Sequence, residues 1–287
     1  MNFPFYIARR YLFSKKSHNA INVISMVSVC GVVVATIALV CALSVYNGFN
    51  DLVSTLFSTF DPELKITPRT GKVFDPMEKK FQSVKTMNSI AVWSEVLEDN
   101  ALVRYDNRQV VAVVKGVSDN FDKLASIDSV LIDGHFVLKD DVVNYAVPGV
   151  GLASALGVNA GYLSPMELYA PKRDGNINLS NPATSFQISY AYVGGVFCIN
   201  QQVYDENYML VPLSLARELF KYDTEVSSIE LKLTPESDLF DVKDEISSLL
   251  GPEFIVQDRF EQQESSYKMM QIEKWMTFLI LSFILAI

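Results

Sequence analysis

Residues 19–50 read NAINVISMVSVCGVVVATIALVCALSVYNGFN, and from Asn19 to Asn50 there is no Asp, Glu, Lys, Arg or His. The centre, Val23 to Val45, is almost wholly aliphatic. At about 1.5 Å rise per residue it covers the roughly 30 Å hydrocarbon core of a bilayer, so the stretch reads as a transmembrane helix. Arg9, Arg10, Lys15 and Lys16 precede it without an acid among them, and Asp51 opens the far side. The positive-inside rule then puts the N-terminus in the cytoplasm and the chain after Asp51 outside. A cleaved signal peptide is the alternative, with Ala42 and Ser44 as its small residues, but the run exceeds the roughly 7–15 residues of a signal h-region. Ser25, Ser28, Gly31 or Val32, and Ala35 recur at helical spacing, a stripe that lets another span approach closely.

Upstream, residues 1–18 mix Phe3, Phe5, Tyr6, Tyr11 and Phe13 with the four cations, a composition suited to a short helix at the cytoplasmic interface. Downstream the helix is expected to continue: Tyr46, Phe49, Leu52, Val53, Leu56 and Phe57 keep helical spacing until Asp61-Pro62. At the far end, residues 275–287 are again uncharged and apolar, and read as the start of a second span. As a helix they reach only about 20 Å, so the sequence is read as stopping within that span.

Charge separates the parts. Of the 24 basic residues 20 lie beyond Asn50, as do all 33 acidic ones, leaving residues 51–274 at −13. An acidic exterior argues against nucleic acid, whose phosphates require basic patches. Cys30 and Cys41 share one helix at about 16 Å, too far for a disulfide, and Cys198 has no partner outside.

The external region alternates strands and helices. Asp75-Pro76-Met77-Glu78 predicts a helix start. Strands are expected at Ala91–Leu97, Ala101–Tyr105 and Gln109–Val117, with a turn at Asp106-Asn107, and at Val142–Val147, leading through Pro148-Gly149 into a helix. A β-rich part, about residues 160–200, carries the alternation Phe186, Ile188, Tyr190, Tyr192, a bulge signal at Gly194-Gly195, and a polar loop at 171–185. Then come a strand at Met209–Val211, a helix at Leu213–Phe220, a strand placing Ile229, Leu231 and Leu233 inward with Glu230 and Lys232 toward water, a helix over Leu239–Leu249 and a strand at Phe254–Val256. From Asp258 a helix is expected to run on to Ile287. The fold class is thus a membrane protein with an α+β external domain: segment 1–18, span 19–50, domain 51–274 and second span 275–287.

No catalytic constellation emerges. No Gly-x-x-x-x-Gly-Lys-[Ser/Thr] loop is present, and Gly149-Val150-Gly151-Leu152-Ala153-Ser154 lacks the third glycine of a dinucleotide fingerprint, reading instead as a tight strand-to-helix turn. His18 and His135 fall on opposite sides of the membrane, so neither a metal site nor a catalytic pair can form from them. No cofactor is expected.

The segments Tyr6-Ile7-Ala8-Arg9-Arg10-Tyr11-Leu12 and Leu43-Ser44-Val45-Tyr46-Asn47-Gly48-Phe49 resemble the start of the lipoprotein-releasing permeases, LolC and LolE, relatives of MacB and FtsX. Gly149-Val150-Gly151-Leu152-Ala153, Val193-Gly194-Gly195-Val196-Phe197, Val211-Pro212-Leu213 and Ile272-Glu273-Lys274-Trp275-Met276 extend the likeness over the whole chain. Tyr162 departs from it, standing where relatives usually carry Asp. The resemblance implies a MacB-like periplasmic α+β domain with a β-rich insertion, in a multi-pass inner-membrane permease subunit of a type VII ABC transporter that is not itself an enzyme. The implied partners are a LolD-like ATPase on a separate chain, a second permease copy or paralogue, a LolA-like periplasmic carrier, the lipoprotein substrate and membrane lipid. An acyl-binding cleft is expected from Val45, Tyr46, Phe49, Leu52, Met269 and Met276, and a carrier-binding loop from Lys172, Arg173, Asn176, Asn178 and Pro182. Two alternatives stay open: a MacB- or FtsX-like mechanotransmission permease for efflux or cell-wall hydrolase control, and a two-span receptor or sensor.

Overall fold

The computed structural model describes residues 3–12, 20–57, 60–140, 142–173, 185–262, 272, 275–280 and 282–283. Two compact units divide the chain, Met1–Ser54 with Glu264–Ile287, and Thr55–Gln263. The first holds α1 (Phe3–Leu12), α2 (Ala20–Phe57) up to the boundary, and a helical stretch over 275–280. Within α2, Val23–Val45 has a mean hydropathy of 2.7 and is, among the described residues, the one helix long and apolar enough to cross a membrane. Two of its hydroxyls are satisfied on the helix itself, as apolar surroundings require: Ser28 Oγ donates to the Ile24 carbonyl at 2.9 Å and Thr36 Oγ1 to that of Val32 at 2.7 Å. The helix runs on past the span to Phe57, as the spacing of its apolar residues predicts.

The second unit is built on strands β1 (Leu64–Pro68), β2 (Ile90–Tyr105), β3 (Arg108–Val117), β4 (Leu131–Gly134), β5 (Lys139–Asp140), β6 (Val143–Pro148), β7 (Met166–Pro171), β8 (Phe186–Val193), β9 (Gly195–Phe197), β10 (Tyr208–Pro212), β11 (Ser228–Leu233) and β12 (Phe254–Asp258). Its helices are α3 (Lys79–Lys85), α4 (Phe121–Leu124), α5 (Val150–Leu156), α6 (Gln202–Asn207), α7 (Leu213–Phe220), α8 (Leu239–Leu250) and α9 (Arg259–Gln262). The main sheet runs β12-β1-β11-β2-β3-β10-β6-β8-β7, and β7 returns to pair with β2, so six strands close a ring. The β3–β10 and β6–β8 pairs are parallel.

Side chains alternate along these strands, and both faces are covered. On one face α3 and α8 pack over Ile66, Trp93, Ile229 and Leu231, while α5 and α7 pack over Leu97, Val114 and Met166. Residues of opposite parity, Val96 and Val117, join Phe60, Phe121, Phe197 and Leu210 in a third cluster. Asp238 caps α8, its carboxylate accepting from the Phe240 and Asp241 amides at 2.8 and 3.3 Å. Asp238→Ala should therefore lower stability by about 1 kcal/mol, read as a shift of the denaturation midpoint.

Several expectations are corrected. The predicted strands at 91–97 and 101–105 are one continuous β2, because β3 pairs with it along its second half from Val96 to Tyr105. Asp106, in the turn that follows, has a φ of 51°. Helix α3 begins at Lys79 rather than at Asp75, whose carboxylate accepts the Met77 amide at 3.0 Å and closes a turn instead. Gly194 does not make a bulge; it separates β8, paired with β6 and β7, from β9, paired with β4. The alternation expected on β8 is present, with Phe186, Ile188 and Tyr190 on the exposed face and Ser189 and Ala191 on the buried one. Glu230 does not face water: it is buried, because the third cluster covers that face of β11. Of the helix expected from Asp258 to Ile287, α9 and residues 275–280 are described and 263–271 lie outside the described residues.

The Gly149 turn has a steric reason. A Cβ there would lie 2.4 Å from the Asp205 carbonyl oxygen, so the glycine lets α5 start against the backbone of α6. This close packing, with no phosphate needed, accounts for the glycine pair.

Candidate functional site

The residues expected to hold acyl chains are placed only in part. Val45 lies on α2, 74% exposed, and Met276 is exposed within the helical stretch 275–280. Tyr46, Phe49 and Leu52 follow on α2 but their side chains, like Met269 as a whole, lie outside the described residues. In the carrier loop, Asn176, Asn178 and Pro182 also lie outside them. Lys172 and Arg173 stand at its stem, which β7 and β8 build as a hairpin: Pro171 pairs with Phe186, and the Lys172 amide donates to the Ser185 carbonyl at 2.9 Å. The Arg173 guanidinium lies over the Tyr222 ring at 3.9 Å and lines a cleft of about 490 Å³ with Lys72, Asp99 and Phe220.

A second site, not read from the sequence, sits where the chain coming from α2 enters the domain. Phe60 is fully buried, its ring 5.4 Å from Phe197 and 4.8 Å from Tyr204. Next to it the Asp61 carboxylate accepts from the Tyr204 hydroxyl at 2.7 Å. The Gln262 side chain donates to the Pro62 carbonyl at 3.2 Å, tying the segment that leaves the domain to the one that enters. This root rests on a row of charges across four neighbouring strands. Lys65 on β1 is directly opposite Glu230 on β11, and Glu98 on β2 is directly opposite Lys115 on β3.

The two shorter ion pairs each skip a strand, while Lys65 also stands 4.0 Å from Oε1 of its opposite residue Glu230. Lys115 Nζ is 2.8 Å from Glu230 Oε1 with both side chains buried (4% and 0% exposed), and Lys65 Nζ is 3.6 Å from Glu98 Oε1, half-buried. Lys115 also lies 5.0 Å over the ring of Phe60 and 5.3 Å over that of Phe121. The row thus binds β1, β11, β2 and β3 together, with the root's aromatic ring pressed on its most buried cation. The sequence signals were a lysine inside the apolar run Val110 to Val117 and a glutamate in a strand that alternation alone sends to solvent.

Electrostatics reinforce the geometry. Burial alone would lower the Lys65 ammonium's pKa, but Glu98 and Glu230 outweigh it and hold the group above its ordinary value. Burial likewise works against the Glu98 carboxylate, and Lys65 and Lys115 overcome it, so its pKa is lowered. Burial, then Asp61, raises the Tyr204 hydroxyl. Burial, then Glu98, pushes Tyr208 up to about 12 from its ordinary 10.0.

A group raised on folding lends stability below its unfolded value and loses it as pH climbs through its folded one; a lowered carboxylate lends stability above its unfolded value and loses it as pH falls. Stability should accordingly hold through neutrality, fall between pH 10.0 and about 12 as Tyr208 ionises, and fall again below the ordinary glutamate value of 4.5 as Glu98 takes up a proton. Urea midpoints measured across pH check both limbs.

A helix long and apolar enough to cross a membrane thus precedes a mixed α+β domain whose entering segment, Phe60 and Asp61, is buried beside an ion row. The model of the MacB-like periplasmic core domain matches residues 25–249, and the chain belongs to that family. It is 26% identical over 246 residues to the lipoprotein-releasing system transmembrane protein LolE of Haemophilus influenzae, covering 81% of this chain and 55% of that one. To the LolC proteins of Xylella fastidiosa and Neisseria meningitidis serogroup B it is 23% and 24% identical, covering 98% of this chain and 66% and 67% of theirs. The chain therefore spans between about half and two thirds of the length of these relatives. Among solved structures, the extracellular domain of the transporter YknZ aligns with a TM-score of 0.48 at 13% identity, over 69% of this chain and 99% of that one. The periplasmic region of MacB from Actinobacillus actinomycetemcomitans gives 0.48 at 12%, over 70% and 91%.

Proposed function

We propose that this chain is a permease subunit of an ABC transporter that extracts lipoproteins from the inner membrane and passes them to a periplasmic carrier, with ATP hydrolysed by a separate subunit. Likeness to LolC and LolE across the helix and the domain supports the substrate class. The structural observation that supports it is the root: Phe60 and Asp61, the first described residues after α2, are buried in the domain, with Asp61 accepting from the Tyr204 hydroxyl. The basic residues ahead of α2 orient the N-terminus to the cytoplasm, where an ATPase would act, and place the domain in the periplasm.

Val45, Tyr46, Phe49, Leu52, Met269 and Met276 then form the acyl-chain path, and the loop between β7 and β8 engages the carrier. Removing Gly175 to Pro182 should abolish carrier capture while leaving assembly with the ATPase intact; unchanged capture removes the loop from the account. Purification of the full-length protein from its own membranes tests the whole reading. Recovery of an ATPase and a triacylated protein supports it, and recovery of an ATPase with a cell-wall hydrolase regulator would favour the mechanotransmission alternative.

A further inference from the structure

The buried ion row carries more acceptor capacity than it uses. Glu230 Oε1 accepts from Lys115 at 2.8 Å, yet Oε2 of the same buried carboxylate has no hydrogen-bond partner. Directly across the ladder from Glu230 is Ser94 on β2, fully buried, and its hydroxyl has none either. Cross-strand partners share a face, so these two groups are neighbours. A third group is also near: Lys65 Nζ stands 4.0 Å from Glu230 Oε1. The carboxylate therefore sits between a cation it holds on the β3 side and a cation and a hydroxyl it does not yet fully engage on the β1 and β2 side. Buried polar groups are normally satisfied, so Glu230 Oε2 and the Ser94 hydroxyl each have room for a further partner on the β2 side.

We propose that Glu230 is a two-position switch, paired with Lys115 while Phe60 presses on that lysine and re-paired with Lys65 and Ser94 when the root withdraws, so that helix movement reaches the sheet as a change of ion partner. Lys115, Glu230 and Ser94 are on this account positioning residues for transport, and the inference rests on the permease reading above. The chemistry supports a switch over a staple. A buried ion pair replaced as a whole by apolar residues of similar volume leaves stability unchanged or higher, so such a pair is weak evidence of a stabilising role. It does, however, offer discrete alternative partners, which an apolar core lacks.

The test uses the full-length protein with its ATPase in proteoliposomes loaded with a triacylated protein, comparing wild type with Lys115→Met/Glu230→Leu and, separately, Ser94→Ala. Three readouts are taken: thermal unfolding, lipoprotein released per ATP hydrolysed, and nucleotide-dependent deuterium uptake over residues 92–100 and 228–233. The double variant is expected to unfold no earlier than wild type, to lose the nucleotide-dependent change in uptake, and to release about tenfold less lipoprotein per ATP. Ser94→Ala, which changes one hydroxyl and leaves the fold, should reduce release per ATP severalfold. Release within twofold of wild type in the double variant overturns the switch, as does full coupling in Ser94→Ala. If the double variant does not fold, the row is a structural requirement and the switch is likewise overturned. Should wild type show the nucleotide-dependent uptake change without releasing lipoprotein, the permease reading fails and the switch stands.

Discussion

Glu230→Ala should lower the stability of the external domain by about 3–5 kcal/mol, because it removes one partner from a buried ion pair and leaves the other uncompensated. Lys115 would remain 4% exposed, with its ammonium over two aromatic rings and only the half-buried Glu98 on the opposite strand to offset it. The loss arises from the stranded charge rather than from the value of the pair. Removing both partners together, as in Lys115→Met/Glu230→Leu, should therefore restore stability to at least the wild-type value, and the contrast between single and double variants is itself diagnostic. Thermal or urea unfolding of the full-length protein, followed through the fluorescence of the nearly buried Trp93, gives the number. A single-variant loss below about 1 kcal/mol, the range of exposed pairs, would mean that the row is solvated.

Phe60→Ala has an effect of similar size for a different reason. Truncating a fully buried aromatic ring leaves a cavity and costs about 3–5 kcal/mol. Here the ring also stacks on Phe197 at 5.4 Å, packs against Tyr204 at 4.8 Å and takes the Lys115 ammonium on its face at 5.0 Å. Phe60→Leu keeps most of the volume and loses the face, so it should retain most of the stability while weakening the hold on Lys115. Comparing the two separates packing from the cation contact. Equal losses in both variants would show that the face, and not the filled volume, is what the domain depends on.

The apolar helix was legible because thirty or so uncharged residues admit few readings, and its extension to Phe57 followed from apolar spacing. Helices α7 and α8 were equally plain, each with an apolar stripe, and in α8 a closing glycine at a φ of 74°. Harder to see was β1, a short strand ending in proline whose place between β11 and β12 depends on partners far along the chain. The ion row was misread for one physical reason. Alternation assigns polar residues to water on the assumption that a strand has one wet face, and β11 has none, since helices cover one side and the root cluster the other. Lys115 and Glu230 become a site only when four strands and the segment behind α2 are assembled, and no local pattern encodes that. The Gly, Asn, Ser and Pro content of residues 171–185 reads as a loop; 174–184 lie outside the described residues, and Lys172 and Arg173 stand at the end of the β7–β8 hairpin.

The most direct measurement is transfer itself: full-length protein and ATPase in proteoliposomes carrying a radiolabelled triacylated protein, with a soluble carrier outside. The account predicts that label moves to the soluble carrier fraction when ATP is added and stays in the membrane with a non-hydrolysable analogue. Label that remains membrane-bound while ATP is consumed would contradict it.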